Sequence, residues 1–196
     1  MQDTNNQIYR KLTTFKPGKV FFPDDFQETG SSEAIRKALS RLEKKGYVKR
    51  IAKGIYFVPT TDPVVGIIYP STEEIAKAIA GRDKARILPT GLYALNRLGL
   101  STQIPLKIVY LTDGSARQVR LGTRTITFKA VAPRKLAMKG NISSLAIQAL
   151  QELGPNGVTD EIRERLHVLL NREEPDNLRH DIKLAPAWIR KLLQTL

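Results

Sequence analysis

The sequence has no cysteine, and its only histidines are His167 and His180. The missing thiols exclude a disulfide framework, a cysteine-based zinc site and thiol chemistry. Two imidazoles are too few for a histidine-rich metal site, and both read as ordinary helix-surface or half-buried residues. Long apolar runs are absent too: nowhere do the roughly 18 consecutive apolar residues of a membrane span occur. The opening MQDTNNQIYRKL is polar and lacks the apolar stretch of a signal peptide, so a cytoplasmic location without membrane contact is expected. Acidic residues are the remaining shortage. Thirty-two Lys and Arg stand against 19 Asp and Glu, a net charge of +13. Such an excess favours polyanionic partners, nucleic acid or an anionic surface. The chain shows no paired catalytic carboxylates, no Ser-His-Asp set and no phosphate-cradling GxxxxGKS. No enzyme activity, cofactor or metal is therefore expected.

The positive charge is unevenly spread. Residues 1–58 hold 12 basic and 6 acidic residues, residues 59–142 hold 13 and 5, and residues 143–196 hold 7 and 8. A polyanion-facing surface is expected in the first two thirds. Residues 59–71, PTTDPVVGIIYPS, contain three prolines and a glycine. Proline fixes φ and disfavours helix at the residue before it, so this stretch reads as an extended connection. The expected organisation is a first domain over 1–60, a linker over 61–70 and a second domain over 71–196.

In the first domain, Ile8, Leu12 and Phe15 form one apolar stripe of a helix over 4–15. Val20–Phe22 is a short strand signal. Pro23-Asp24-Asp25 starts a short helix through fixed φ and acidic first-turn residues, with Phe26 facing inward and Gly30 ending it. Ser31 or Ser32 caps the next helix, about 33–45, whose Ile35, Ala38, Leu39 and Leu42 make a core stripe. Gly46 is its expected left-handed cap. Tyr47–Ile51 and Ile55–Val58 read as strands joined around Lys53-Gly54. Residues 31–58 carry eight Lys and Arg but only two Glu, more than a folding unit needs.

Helix, strand, short helix, basic helix and hairpin is the order of a winged helix-turn-helix. The second helix of such a unit enters the major groove, and the wing follows phosphates or touches the minor groove. The residues expected to contact double-stranded DNA are Ser32, Arg36, Lys37, Ser40, Arg41 and Lys44 on the helix. Lys49, Arg50 and Lys53 follow on the hairpin. Two rival readings stand beside this one. One is a protein-docking adaptor that uses the same basic face; the other is a nucleic-acid-acting enzyme with a degenerate nuclease-like core.

In the second domain, Ser71-Thr72-Glu73-Glu74 fits a capping box. It opens a helix with Ile75, Ala76 and Ile79 inward, stopped by Gly81. Arg82, Lys84 and Arg86 cluster in a loop, as a solvated turn or a second anion contact. Thr90-Gly91 opens a short helix over 91–98 with Leu92, Leu95 and Leu98 inward. Lys107–Thr112 is a strand ending in the turn Asp113-Gly114; Asp113 reads as a turn residue. Gln118–Leu121 and Thr125–Lys129 form a hairpin around Gly122-Thr123, with Arg117, Arg120, Arg124 and Lys129 on its outer face. The remainder is helical: one helix capped by Asn141, one over 159–171, one after Asp176 and one starting at Pro186. The expected class is α+β, a winged helix-turn-helix followed by a domain with a small antiparallel sheet and C-terminal helices.

The run AIRKALSRLEKKGYVKRIAKGIYFVP, with LPTGLYALNRLGLSTQIPLKIVYLTDG and RLGTRTITFK after it, resembles the AbiEi-type antitoxins of bacterial abortive-infection (type IV toxin-antitoxin) systems. The resemblance covers residues 15–140. It implies an N-terminal winged helix that binds an inverted repeat in its own promoter, two copies to a site, and represses transcription. It also implies a C-terminal domain that counters a nucleotidyltransferase-like toxin, with or without a stable complex between the two.

Overall fold

In the computed structural model, which describes residues 3–196, Ile8 and Leu12 lie buried on helix α1, Thr4–Thr13. The Asp3 carboxylate caps α1 by accepting the Asn5 N–H at 3.2 Å. Strand β1, Val20–Phe21, leads into a 3-10 segment, Pro23–Thr29, where Asp25 accepts the Phe22 N–H at 2.8 Å. Helix α2, Ser32–Lys44, begins at the Ser31 cap, and Ile35, Ala38, Leu39 and Leu42 are all buried on it. Gly46, at φ +81°, ends the helix: the amides of Gly46 and Tyr47 donate to the carbonyls of Glu43 and Leu42 at 3.0 Å each. That pair of bonds is the reversal in which a side chain at the glycine would be strained. Strands β2, Lys49–Ala52, and β3, Ile55–Phe57, complete an antiparallel sheet of order β1-β3-β2. Tyr47 lies outside it, 47% exposed and packed edge-on against Tyr9 at 4.8 Å.

The expected linker 61–70 is not a plain extended connection. It holds a second hairpin, β4, Thr60–Asp62, and β5, Gly66–Ile68. Asp62 folds its turn by accepting the amides of Val64 and Val65 at 2.8 and 3.0 Å. Proline-flanked extended chain and hairpin strand occupy neighbouring backbone regions, so composition did not separate them. The capping box is present: the Ser71 N–H reaches Glu74 at 2.7 Å and the Glu74 N–H reaches Ser71 Oγ at 3.2 Å. It opens α3, Thr72–Arg82, which runs through Gly81 and packs on β1. The chain forms two compact units that divide between Arg82 and Asp83, one helix later than the expected boundary.

The second unit contains β6, Ile87–Thr90, α4, Leu92–Arg97, β7, Lys107–Thr112, β8, Arg117–Leu121, and β9, Arg124–Ala130. Its sheet has the order β6-β7-β9-β8 and is mixed, not antiparallel: β7 and β9 run parallel. The strand after the Asp113 turn takes the outer edge, and the hairpin then returns β9 between β8 and β7. Cross-strand pairs share a face, so the four basic residues of this hairpin do not crowd one side. Arg120 and Lys129 lie on one face, Arg117 and Arg124 on the other. Leu92 is 42% exposed rather than inward.

Four helices follow: α5, Asn141–Leu153, α6, Asp160–Leu170, α7, Pro175–Leu184, and α8, Ala187–Leu193. Ala146, Ile147, Ala149 and Leu150 of α5 are fully buried in a core shared with Leu166, Leu170, Ile189 and Leu193. Trp188 packs against this core. Asn141 is the first helical residue, not the cap. The start of α5 is held by distant carboxylates: Glu173 accepts from the amides of Ile142 and Ser143 at 2.6 and 3.1 Å. Asp181, wholly buried, accepts from the amides of Lys139 and Gly140 at 2.8 and 2.9 Å and from the Ser143 hydroxyl at 2.6 Å. His180 Nδ1 is its further partner at 2.9 Å. No helix among the described residues is long and apolar enough to cross a membrane.

Burial pushes the Asp181 carboxyl up, but the bonds from His180, Ser143, Lys139 and Gly140 outweigh it and hold the pKa below the ordinary value. Its stabilisation is therefore fully present above the unfolded-state pKa of about 3.9 and lost as pH falls through the lower folded value. Asp181→Asn should destabilise the fold by about 1–3 kcal/mol near neutrality through unpaired buried donors. Urea titrations of both proteins across pH should show the gap closing below about pH 3.9. A gap that persists unchanged in acid would contradict this account.

Candidate nucleic-acid interface

The outward face of α2 carries Lys37, Ser40 and Lys44 within about 60° of arc at 3.6 residues per turn. Arg36 and Arg41 flank that arc about 140° apart. All five are exposed. They are not equivalent. Lys37 is paired with Glu33 at 2.7 Å, both side chains lying in solvent. Arg36 curls back along the helix, its Nε donating to the Ser32 carbonyl at 3.1 Å.

Beside the N-terminal half of α2 lies a cleft of about 370 Å³. Ser32 and Arg36 line it from the helix, and Arg50, Lys53 and Tyr56 line it from the β2–β3 hairpin. Register explains the hairpin's contribution. Arg50 pairs with Tyr56, so their side chains share one face, whereas Lys49 pairs with Phe57 on the other. Arg50 Nε donates to its own strand's Ala52 carbonyl at 3.3 Å, and Gly54, at φ +72°, turns the chain there. Four of the nine expected residues, Ser32, Arg36, Arg50 and Lys53, are thus brought together. Lys37, Ser40, Arg41, Lys44 and Lys49 lie outside the cleft.

Gln27 and Tyr56, also in the lining, had no local signal in the sequence, and Arg82 reads there only as part of a loop cluster with Lys84 and Arg86. Arg82 reaches the site because α3 folds back on β1, where its guanidinium lies 4.4 Å from the centre of the Phe22 ring. Burial pushes the Tyr56 phenol up, against the downward pull of Arg50, so it stays protonated as a neutral donor. Asp24 is the one carboxylate at the cleft. Four cations face one acid there, and guanidinium forks have the geometry to bind phosphate oxygens in pairs.

The Arg82, Lys84 and Arg86 cluster divides in the structure. Arg86 is a structural clamp: its backbone N–H and Nε donate to Asp113 at 2.7 and 2.8 Å. These bonds hold the Asp113 carboxyl below its usual range. Asp113 staples β6 to the end of β7. Among the described residues, no group of three or more His, Cys, Asp or Glu could hold a metal ion.

The exposed Lys37–Glu33 pair contributes little stability, since surface i,i+4 pairs are worth about 0.3–0.5 kcal/mol. Glu33→Gln frees the ammonium and removes one negative charge from the face. Heparin affinity at low salt should rise about two- to fivefold, with unfolding free energy within about 0.5 kcal/mol of the parent. An unchanged heparin affinity would show that this face is not where a polyanion docks.

No curated protein matches the chain. Among solved structures it is similar to the crystal structure of the RV2827C protein from Mycobacterium tuberculosis. The two are 15% identical over 97% of this chain and 80% of that one, with a TM-score of 0.47. A family model described as a family of unknown function, DUF6088, matches residues 7–178, and the chain belongs to that family.

Proposed function

We propose that the first unit is a winged helix-turn-helix that binds double-stranded DNA, with α2 in the major groove and the β2–β3 hairpin as the wing. The observation that carries this reading is the convergence of Ser32 and Arg36 with Arg50 and Lys53 at one cleft. In the proposed complex Lys37, Ser40 and Lys44 face the groove floor, and Arg36 and Arg41 face its two phosphate walls. Lys can pair with guanine O6 and N7, and Ser is less discriminating. Arg50, Lys53 and Arg82 position the backbone, a role that fixes register without reading sequence.

The resemblance to AbiEi-type antitoxins supports the wider role: a promoter-binding autorepressor that counters a nucleotidyltransferase-like toxin. Two copies on an inverted repeat would lie about 34 Å apart, or a multiple of it, on one face of the duplex. The protein acts by holding DNA and catalyses no reaction in this scheme.

Fluorescence anisotropy with the DNA upstream of the gene, against a shuffled duplex, tests the reading. The native duplex should bind at least about tenfold tighter. Arg36→Ala combined with Arg50→Ala should weaken binding to both duplexes alike, whereas Lys37→Ala combined with Lys44→Ala should erase the preference. With about five phosphates neutralised, the log–log salt slope should be about −4 to −5, and Lys53→Ala should flatten it by about one. Equal binding to both duplexes would reduce the basic face to an electrostatic footprint. Duplex affinity untouched by the Arg pair would move the partner to an acidic protein.

A further inference from the structure

The sheet and C-terminal helices of the second unit wall an open cavity of about 620 Å³ that DNA binding by the first unit does not use. Gln148, on α5, lines it. That residue is 4% exposed, and its amide, which makes no hydrogen bond among the described residues, is open to the cleft rather than sealed in the core. Buried carboxamides are almost always bonded, because leaving donor and acceptor unmet is destabilising. Here the unmet groups face an opening large enough for a small organic ligand.

The rest of the lining narrows the chemistry. Thr90 and Gln151 add further polar groups, and Leu111 and Met138 supply apolar wall. Arg134 and Lys135 are the charged residues of the lining, and no Asp or Glu accompanies them. The walls are braced by two arginine clamps. Arg86 Nη1 and Nη2 donate to the carbonyls of Leu136 and Pro133, each at 3.2 Å, fixing the turn that carries Arg134 and Lys135. Arg190 Nη2 donates to the carbonyls of Lys183 and Ala185 at 3.0 and 3.3 Å, fixing the facing wall at Ala185.

We propose that this cavity binds a nucleotide, the base edge on the Gln148 amide and the phosphate on Arg134 and Lys135. A carboxamide presents a donor and an acceptor side by side, which complements the edge of a base. The apolar wall takes the faces of the base. Two cations without a neighbouring carboxylate take the phosphate. A free nucleotide and the unpaired end of a single strand offer the same chemistry.

The test uses the full chain, titrated by calorimetry and nuclear magnetic resonance with AMP, CMP, GMP, UMP and a single-stranded RNA tetranucleotide. At least one should bind saturably and shift the Gln148 side-chain NH₂ resonances. A tetranucleotide at least about tenfold tighter than any mononucleotide assigns the site to a strand end, and equal affinities assign it to a free nucleotide. Gln148→Leu, close in volume, should lower affinity at least about tenfold. Its melting temperature should stay near the parent's, because the amide makes no bond within the fold. Arg134→Ala should weaken binding and flatten its salt dependence, and both variants should keep parental affinity for duplex DNA. No saturable binding up to about 5 mM, or binding indifferent to Gln148→Leu, would overturn the proposal. So would a Gln148→Leu protein that melts well below the parent, since the amide would then be serving the fold.

Discussion

The first unit depends on Phe21. Its ring, fully buried, lies 5.8 Å from Phe15, 5.7 Å from Phe26 and 5.8 Å from Tyr56. It thereby joins the chain after α1, the 3-10 segment before α2 and the middle strand of the sheet. Removing such a ring typically costs about 3–5 kcal/mol, but the geometric consequence reaches further. Tyr56, stacked on Phe21, is also a wall of the basic cleft, and its strand partner Arg50 lines the same wall. The separation of α2 from the hairpin is set by this aromatic cluster, so the cleft inherits its shape from the core beneath it.

Charge is spent internally as well as displayed. Arg86 binds Asp113 and two carbonyls, Arg190 binds two carbonyls, and Lys11 Nζ donates to the Asp25 carbonyl at 2.6 Å. Arg117 pairs with Asp83. These cations keep their charge, but their side chains are committed to the fold. The second unit makes the reverse use of carboxylates, placing Glu173 and Asp181 at the start of α5 where the sequence offers no good capping residue at Gly140. The near-neutral C-terminal third is occupied with its own core.

Local rules mark most elements of the first unit because each announces itself: the Ser31 cap, the stripe from Ile35 to Leu42, Gly46, and the capping box at Ser71. They failed where the outcome depends on distant contacts. Nothing near Arg82 shows that α3 returns to β1, so its local sequence offers an anion contact but not its place at the cleft, and the units divide one helix later than composition indicates. Nothing near Gly122 shows that β9 inserts beside β7 and makes the sheet mixed. The hairpin at 60–68 was hidden by its prolines. Of the nine basic and hydroxyl residues expected at the interface, local sequence finds eight that are exposed and one, Lys49, that is half-buried. It could not sort Arg50 from Lys49, because that distinction rests on strand register.

Chemical-shift mapping of the full chain against the duplex from upstream of its gene tests the central claim most directly. The account predicts that the largest backbone and side-chain shifts fall at Ser32–Lys44, Arg50–Gly54 and Arg82. Amides of α5 to α8 should stay near their free positions. Largest shifts on the second unit, with the cleft between α2 and the hairpin unmoved, would contradict it.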